Sequence, residues 1–444
     1  MMDFPELYKY NIFPIPFVKS GKDLFLVYAP LTGDIFFSQK KFLDICENEL
    51  KSGSTISAKD FAQLLSNCQK AELPRLSTVP EALHQLDIIL NFKCNFACSY
   101  CFSAKGRSNG EIIWPVLQEA LIHFLGEKST FNIEEVVFTG GGEPLLSFDL
   151  LKKAVLFIKE SGRNIAVSTV TNGSLLTENT IDFLIDNNVG LVISFEILRE
   201  LQDLQRNHYD LCLQNIRMAV RKGCIPGIRV TITPASVFKL QEMVEELHRS
   251  VPEIKSFAAE VVMAPELFEK PEELSVFYKN FIEQFSISRK KAKNFGMEIF
   301  STSFMAVDGL KARMCPGKLC ITPDGNLTNC ARVSSSLEKN ADAYFYGKCD
   351  SKDLSIDYKK FADHTHFYSM KNHSECDACW AKWNCGGGCA RIRESFSEAF
   401  FSEYCTFVKG CILQEIIDRL EDSCEANGTS LQEYLSTVGE GYNE

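Results

Sequence analysis

Short apolar runs alternate with amphipathic segments through the middle of the chain. Six runs are typical of strands: Leu86–Leu90, Glu135–Thr139, Ile165–Thr171, Gly190–Ser194, Ile228–Ile232 and Phe257–Met263. Helical spacing of apolar residues lies between them, as in Leu117, Leu121, Phe124 and Leu125, and again in Leu151, Ala154, Val155 and Ile158. Repeated strand–helix–strand units predict parallel strands joined by right-handed crossovers. Six such units suit an open or partial barrel of the α/β class.

The first 80 residues follow a different pattern. "LFLVYAPLTGDIFF" predicts two strands, Leu24–Tyr28 and Asp34–Phe37, joined by a turn at Pro30 and Gly33. Helical spacing follows in residues 42–50, and "SAKDFAQLLSN" predicts a second helix capped by Ser57. Two prolines in Ala71–Ala82 indicate a linker. Residues 1–80 are therefore predicted to form a small module of their own.

The remaining chain divides into two further zones. Residues 83–300 contain the strand–helix alternation, and residues 301–444 lose it. The last zone is rich in cysteine and glycine and ends in an apparent helix, "ILQEIIDRLEDSCEA". Three zones agree with the usual size of domains in a chain of 444 residues.

Charge and composition limit the classes of function. The net charge of −11 disfavours a general nucleic-acid binder, which needs a basic face. No stretch is apolar enough to span a bilayer, and the N-terminus lacks the layout of a signal peptide. We therefore expect a cytoplasmic protein, where thiols stay reduced. Its 18 cysteines are clustered, which in that compartment indicates metal binding or catalysis rather than disulfides.

Three cysteines lie in one loop directly after the first predicted strand. Cys94, Cys98 and Cys101 stand in "LNFKCNFACSYCFSAKG" with no fourth cysteine nearby. Closed zinc sites and ordinary iron–sulfur clusters take four ligands, so three thiolates would leave one metal position open, as catalytic sites do. Three unligated buried cysteines, or a zinc site completed from elsewhere, would also explain the spacing.

Two further loops are predicted on the same rim. "FTGGGEPLL" ends the second strand, and its glycines let the backbone approach a ligand closely. "TNG", residues 171–173, ends the third strand. Each alone would be an ordinary turn. In parallel sheets of this kind, ligands bind at the carboxyl ends of the strands, where all three loops lie.

Together these motifs resemble the radical S-adenosylmethionine (SAM) enzymes. The resemblance rests on CxxxCxxC after strand one with Tyr100 before the last cysteine, then GGEP, then TNG, and it covers the middle zone. It implies a [4Fe–4S] cluster on Cys94, Cys98 and Cys101 that chelates SAM through its unique iron. Reductive cleavage would then give a 5′-deoxyadenosyl radical, with the electron coming from a donor such as flavodoxin or ferredoxin.

The resemblance also implies residues that contact SAM. The GGEP segment, Gly141, Gly142, Glu143 and Pro144, would hold the methionyl amine through its backbone. Asn172 and Ser194 would face the ribose or carboxylate, and Arg206 matches an arginine that can pair with the carboxylate. Relatives often have Ser-x-Asp-Gly after strand four, whereas this chain has "SFEI". Glu196 keeps the acid, but the glycine is replaced by Ile197.

The cysteine-rich tail resembles the SPASM extension of radical SAM enzymes. All seven cysteines of that pattern are present in register: Cys315, Cys330, Cys376, Cys379, Cys385, Cys389 and Cys405. The resemblance implies two auxiliary [4Fe–4S] clusters, hence three in all. The distal set would be Cys376, Cys379, Cys385 and Cys405; the proximal set would be Cys315, Cys330 and Cys389. A zinc ribbon is the simpler alternative for paired cysteines.

The proximal set lacks a fourth cysteine. Relatives with full ligation have one just upstream of the position of Cys315, and this chain has none there. Cys320 is the nearest spare cysteine, although it could instead be packed on a strand. An iron atom left open here would suit a substrate thiolate, because thiolates are soft ligands.

The front module resembles the winged-helix-like leader-recognition element of some peptide maturases. That element binds a peptide as an added strand. The combined resemblance implies a maturase that abstracts hydrogen from a ribosomally made precursor peptide with a leader. The product would be an intramolecular crosslink, either a thioether or a carbon–carbon bond. A domain that only covers the barrel would explain the module equally simply.

Other functions stay open. A sulfatase-type maturase that forms formylglycine normally lacks a front module, and an epimerase would need a hydrogen donor. A non-enzymatic iron–sulfur or zinc scaffold would have no use for GGEP and TNG on the cluster rim. No residue stands out as a general base. Glu260, on the sixth strand, could serve as one or could be a structural carboxylate.

Overall fold

The computed structural model describes residues 4–17 and 24–438 of the chain. Its N-terminal part contains three helices and three strands: α1 (Pro5–Lys9), β1 (Phe13–Phe17), β2 (Leu24–Ala29), β3 (Asp34–Gln39), α2 (Lys40–Ser52) and α3 (Lys59–Lys70). The strands form an antiparallel sheet in the order β1-β2-β3. The two predicted strands and two predicted helices are confirmed.

Two details of this module differ from the sequence prediction. The strand β1 was missed because Pro14 and Pro16 remove two ladder donors, which is tolerated only on an edge strand. The proposed helix cap at Ser57 is wrong, because α3 begins at Lys59 and its N-cap is Ala58, without a side-chain hydrogen bond. The Ser57 amide instead donates to the carboxylate of Glu49, 3.1 Å away.

The barrel contains seven parallel strands with helices between them. The strands are β4 (Gln85–Ile88), β5 (Glu135–Phe138), β6 (Ala166–Thr171), β7 (Val189–Ser194), β8 (Gly227–Ile232), β9 (Ser256–Val261) and β10 (Glu298–Phe300). The helices are α4 (Trp114–Leu125), α5 (Phe148–Glu160), α6 (Glu178–Asp186), α7 (Arg199–Gln205), α8 (Tyr209–Arg221), α9 (Leu240–Ser250) and α10 (Pro271–Asn294). The α/β class and all six predicted strands are confirmed.

The apolar faces of the predicted helices pack as expected. Leu117, Leu121, Phe124 and Leu125 are buried on α4, and the four predicted apolar residues of α5 are buried as well. The seventh strand, β10, was not predicted, because it is only three residues long and follows a long helix. It pairs in parallel with β9 at the edge of the sheet.

The C-terminal part extends the barrel sheet rather than standing apart from it. Its strands are β11 (Leu319–Ile321), β12 (Asn326–Thr328), β13 (Phe345–Cys349) and β14 (Leu354–Ile356). Its helices are α11 (Ala341–Tyr344), α12 (Tyr358–Phe367), α13 (Lys382–Cys385), α14 (Ala390–Ser395), α15 (Glu398–Ala426) and α16 (Leu431–Thr437). Strand β11 pairs in parallel with β4, which gives eleven strands in the order β10-β9-β8-β7-β6-β5-β4-β11-β12-β13-β14.

The front module docks on the C-terminal part. The Tyr28 hydroxyl donates to Asn384 Oδ1 at 2.8 Å, and Trp383 Nε1 donates to Asn11 Oδ1 at 2.7 Å. Tyr28 also meets Trp380 edge to face. All these partners lie between Cys379 and Cys385, so the module is anchored beside the distal cysteines. The boundaries 1–80, 83–300 and 301–444 stay predictions.

Two long helices close the far side of the barrel through a buried ion network. Arg289 of α10 pairs with Glu415 and Asp418 of α15, whose side chains are 8% and 6% exposed. The Ser286 hydroxyl also contacts Asp418 at 3.0 Å. Next to it, Lys290 pairs with Glu421 in a far more exposed position.

We expect Arg289→Met to lower the free energy of unfolding by about 3 kcal/mol, because it leaves the buried Asp418 carboxylate without a counter-charge, whereas Glu415 keeps its pair with Arg419. The matched control, Lys290→Met, removes an exposed pair and should cost less than about 1 kcal/mol. Urea unfolding of the two variants checks this. Equal losses would contradict a stabilising role for the buried network.

Candidate functional site

The three clustered cysteines face one cavity inside the barrel. The cavity has a volume of about 540 Å³. Cys94, Cys98 and Cys101 line it from the loop after β4. The glycine loop after β5 and the end of β6 line the same space. The structure therefore brings together the loops that the sequence placed on one rim.

Arginine side chains offset the negative charge that these thiols can carry. Burial raises the pKa of Cys94 and Cys98, and neighbouring Cys101 raises both further. Arg107 lowers the pKa of both thiols, and its Nη2 donates to Cys101 Sγ at 3.2 Å. A guanidinium fixed beside the trio favours the thiolate form, which is the form that binds metals.

Glycine is required where the loop after β5 crosses the cysteine loop. The Gly142 amide donates to the Asn91 carbonyl at 2.9 Å, and the Glu143 amide donates to the Lys93 carbonyl at 2.7 Å. A Cβ on Gly142 would lie 1.8 Å from that Lys93 oxygen. No side chain fits this crossing, so it holds the two loops in register directly before Cys94.

The Glu143 carboxylate accepts hydrogen bonds from neighbouring protein groups. One of its carboxylate oxygens accepts from the Thr171 hydroxyl at 2.6 Å and the Leu145 amide at 3.1 Å. The other accepts from the Asn172 amide at 2.8 Å. Pro144 begins a short 3₁₀ turn after it. The carboxylate therefore joins the ends of β5 and β6, while Gly141, Gly142 and Glu143 all line the cavity.

The Asn172 side chain is likewise hydrogen-bonded to neighbouring protein groups. Its Nδ2 donates to Asn95 Oδ1 at 2.9 Å, and its Oδ1 accepts from the Ser174 amide and hydroxyl. It lines the cavity while it ties the end of β6 to the cysteine loop. Ser194 lines the cavity from the end of β7.

Tyr100, Glu196 and Arg206 form a buried network beside the cysteines. The Tyr100 hydroxyl donates to Glu196, and Arg206 Nη1 donates to that hydroxyl at 3.0 Å. Arg206 lies 3.8 Å from the Glu196 carboxylate. Tyr100 and Arg206 reach the cavity, whereas Glu196 is fully buried behind them. The acid that the sequence associated with SAM thus positions the two groups in front of it.

Glu260 faces the cavity, but both of its oxygens have a partner. They accept from the Thr302 amide at 3.0 Å and from the Thr302 hydroxyl at 2.8 Å. This link between β9 and the segment after β10 favours the interpretation of Glu260 as a structural carboxylate. A role as catalytic base stays a prediction.

Sequence reasoning missed the charged residues on the far wall of the cavity. Lys318 Nζ lies 3.2 Å from Asp87, which is almost fully buried on β4, and Arg229 and Arg332 line the same cavity. Only Asp87 gave a signal, as a lone acid inside the apolar run "LDIIL". The others come from separate segments that only the fold brings together.

Two sets of cysteines in the C-terminal part influence one another's pKa. Burial, together with the neighbouring Cys405, Cys379 and Cys376, raises the pKa of Cys385 to about 12. Burial likewise raises the pKa of Cys330 to about 12, with added contributions from Cys389 and Cys315. Thiols that influence one another in this way lie close together. Cys389 also lines the cavity, so the proximal group borders the same space as Cys94, Cys98 and Cys101.

Cys320 lies in a different setting. It is fully buried on β11, opposite Asp87 of β4. Burial raises the pKa of its thiol, and Asp87 and Cys330 add to the effect. A place on a strand inside the core favours packing over ligation, although its predicted role as a ligand is untested.

The donor set suits clusters better than single metal ions. Within residues 4–17 and 24–438, no three His, Cys, Asp or Glu side chains are arranged to hold one metal ion. An iron–sulfur cluster makes a different demand, because each iron takes its own cysteine. All 18 cysteines are free of disulfides.

Among the helices that the structure describes, none is long and apolar enough to cross a membrane.

The burial of Glu196 predicts a pH-dependent stability. Burial raises its pKa to about 7, against the opposing effects of Arg206, Tyr100 and the Thr231 amide. A raised folded-state pKa stabilises the fold fully below the ordinary value of 4.5, and this contribution is lost as the pH rises through 7.

We therefore expect wild type to lose up to about 3 kcal/mol relative to Glu196→Gln between about pH 4.5 and pH 8. Urea unfolding of cluster-free protein across this range checks it. The control is Glu200→Gln on the exposed face of α7, whose curve should run parallel to wild type. A parallel curve for Glu196→Gln would show that the carboxyl titrates normally.

Comparison with known proteins agrees with this geometry. Residues 88–251 match the model of the radical SAM superfamily. An uncharacterized protein of Methanocaldococcus jannaschii is 33% identical over 156 residues, 32% of this chain and 49% of that protein. The radical SAM cyclopropyl synthase TigE of Paramaledivibacter caminithermalis is 29% identical over 29% of this chain and 30% of its own length. The chain thus spans about half or less of these curated relatives.

Two solved structures share the fold. Native anSMEcpe with bound AdoMet has a TM-score of 0.59 at 18% identity and covers 76% of this chain and 99% of its own. Streptococcus suis SuiB bound to precursor peptide SuiA has a TM-score of 0.50 at 14% identity and covers 84% of this chain and 94% of its own. The cysteine loop and the glycine crossing therefore lie within residues 88–251, the part of the chain that matches the radical SAM superfamily model.

Proposed function

We propose that this protein is a radical SAM maturase that forms a crosslink within a ribosomally made peptide. One observation carries the proposal: Cys94, Cys98, Cys101, the glycine loop and Cys389 border a single cavity. A substrate in that cavity would lie between the SAM-binding cysteines and the proximal auxiliary cysteines. That arrangement suits a reaction in which a hydrogen atom leaves on one side and an electron leaves on the other.

The residues fit SAM and its cluster. Cys94, Cys98 and Cys101 would hold a [4Fe–4S] cluster, with Arg107 beside them as a counter-charge. The carbonyls of Gly141 and Gly142 are acceptors for the methionyl amine, and Arg206 is a donor for the methionyl carboxylate. The Ser194 hydroxyl can bind the ribose or the carboxylate. When bound, SAM and this cluster supply a 5′-deoxyadenosyl radical that removes a hydrogen atom from the substrate.

The two other cysteine groups would hold auxiliary [4Fe–4S] clusters. The distal group provides four thiols, and the proximal group provides three. A crosslink removes two hydrogens from the peptide, so one electron and one proton must leave after the hydrogen atom. Burial lowers the pKa of Arg313, and the proximal thiols of Cys315, Cys330 and Cys389 each oppose that shift. A fixed cation there would help to retain an anionic cluster.

The front module would bind the leader of the precursor peptide. Added-strand binding needs a free sheet edge with its N–H groups available. The edge strand β1 is poor in donors because of Pro14 and Pro16, whereas β3 (Asp34–Gln39) contains no proline. We therefore assign the leader to the outer edge of β3. Peptide substrates also agree with the named relatives, since SuiB was solved with a precursor peptide.

A sulfatase-type maturase is the second candidate. The structure shares its fold with anSMEcpe, which has also been solved with bound AdoMet and the Cp18Cys peptide. The alternative predicts oxidation of one Cys or Ser to formylglycine in a protein substrate. Formylglycine made from cysteine is separated from a crosslink by its mass, because it also loses sulfur. Formylglycine made from serine loses the same two hydrogens as a crosslink and is identified with an aldehyde-specific reagent.

The number of clusters can be measured directly. Reconstituted wild type should contain about twelve iron atoms per chain for three [4Fe–4S] clusters. Replacing Cys94, Cys98 and Cys101 by Ala should leave about eight, and Cys376→Ala with Cys379→Ala should also leave about eight. Cys224→Ala, at the end of α8, is the matched control and should keep twelve. About four iron atoms in wild type would rule out the auxiliary clusters.

The reaction is tested with the small peptide encoded beside this chain. Anaerobic incubation of that peptide with reconstituted enzyme, reductant and SAM should form 5′-deoxyadenosine. Mass spectrometry should show a loss of two hydrogens per crosslink, and fragmentation then locates the bond. The triple Cys94, Cys98 and Cys101 variant should leave the peptide unchanged.

Two results would contradict crosslinking of that peptide. An unchanged mass with deuterium uptake from heavy water indicates epimerisation. A mass change that fits formylglycine supports the second candidate.

Removing the leader from the peptide should greatly raise its KM with little change in kcat, and an unchanged KM would contradict the role of the front module.

A further inference from the structure

Two arginines inside the cavity have no carboxylate to pair with. Among the charged side chains that line it, Arg206 lies near Glu196 and Lys318 pairs with Asp87. Arg107 faces the Cys101 thiol. In the part of the chain that the structure describes, neither Arg229 nor Arg332 has an acid within ion-pair distance.

The position of Arg229 in β8 is unusual for a barrel strand. Arg229 is paired in parallel register with Ser194 of β7, and residues paired in this way point to the same face of a sheet. Ser194 and Thr231 both line the cavity, so this is the interior face. Interior positions of such barrels are usually filled with branched apolar side chains. Arg229 is instead exposed to open space within the barrel.

Arg332 reaches the same space from the C-terminal part. Its guanidinium lies 4.7 Å above the ring of Phe102, directly after Cys101, and its Nη1 contacts Met263 Sδ at 2.7 Å. Arg229 and Arg332 line one cavity, the first from β8 and the second from the segment directly after Cys330. Two guanidinium groups in one cavity make that space attractive to an anion.

Placing two like charges in a concave site is unfavourable without an anion. Arg229 is exposed to the cavity and Arg332 is half-buried there, so both guanidinium groups can meet a bound anion. The other acids of the cavity cannot meet it: Glu143 and Glu260 already accept hydrogen bonds from protein donors. The missing partner must come from a ligand. Planar guanidinium groups match a carboxylate, which they bind with paired hydrogen bonds.

We propose that Arg229 and Arg332 bind a carboxylate of the substrate, either an Asp or Glu side chain or the terminal carboxylate of the peptide. This inference rests on the proposed function, because it places the substrate between Phe102 and Cys389. The methionyl carboxylate of SAM has the same chemistry and is the alternative source. Arg206, on the side of Tyr100, is left to serve SAM.

The test is a binding measurement on the reconstituted holoenzyme with SAM present. The probes are N-acetylaspartate N-methylamide and the uncharged N-acetylasparagine N-methylamide, followed by ligand-observed NMR. Wild type should bind the aspartate probe about tenfold more tightly, because charge-assisted hydrogen bonds are lost with the amide. Arg229→Gln with Arg332→Gln should abolish this preference. Arg221→Gln, exposed at the end of α8, is the control and should keep it.

A second arm follows SAM binding by equilibrium dialysis in the same variants. The proposal expects SAM affinity to stay within about twofold of wild type, since a lost charge-assisted bond would cost tenfold or more. If SAM affinity falls about tenfold and wild type shows no aspartate preference, the carboxylate belongs to SAM and the assignment to the substrate is wrong. If neither quantity changes, the arginines bind no carboxylate.

These outcomes are separate from the test of the proposed function. A wild-type protein that forms no 5′-deoxyadenosine would contradict the radical reaction, whatever the probes show. A protein that modifies its peptide but shows no aspartate preference would contradict only the carboxylate site. Exchange of each Asp and Glu of a working peptide for Asn or Gln then identifies the bound group by a rise in KM with kcat preserved.

Discussion

The parallel pairing of β11 with β4 is the contact on which the candidate site depends. Leu319 and Ile321 pair with Leu86 and Ile88, and all four side chains are fully buried. The Ile89 amide extends the ladder by donating to the Ile321 carbonyl at 3.0 Å. Directly after β4 the chain enters the loop of Cys94, Cys98 and Cys101. Directly before β11 it carries Cys315. One short strand pair thus sets the distance between two groups of cysteines that lie more than 200 residues apart in sequence.

Buried charge follows from that arrangement. Two groups of thiols border one cavity, and each thiolate raises the cost of forming the next. Arginines from separate segments lie near these thiols and offset their negative charge: Arg107 after the cysteine loop, Arg206 after α7 and Arg313 before Cys315. Each is held by hydrogen bonds to protein groups as well as by charge, as in the contact of Arg313 with Thr365 at 3.1 Å. Five basic and three acidic side chains line the cavity, despite the acidic net charge of the whole chain.

Patterns that act over short distances made much of this predictable. The six barrel strands, the buried faces of α4 and α5, and the cysteine loop all depend on residues close in sequence. The strand β1 was missed because its prolines oppose strand pairing, and the cap at Ser57 failed because Ser57 bonds to Glu49 instead. The β4–β11 pairing, Arg229 and Arg332 were not predictable, since their meaning comes only from segments that folding brings together. Glu143 and Asn172 were correctly placed at the rim, but their internal hydrogen bonds could not be read from the motif.

The departure at "SFEI" shows how a local conflict is resolved by packing. Ile197 takes the place of the glycine found in many relatives, yet it keeps a left-handed backbone with φ of 64°. The Leu198 amide donates to the Glu196 carbonyl across it at 2.7 Å, which closes a tight turn. A β-branched residue in this conformation costs about 1–2 kcal/mol. Complete burial of its side chain stabilises the fold by about 1.5–3 kcal/mol, which offsets this cost, so the bend forms without glycine. The bend in turn directs Glu196 toward Tyr100 and Arg206, and the network beside the cysteine loop is kept although its sequence signature is lost.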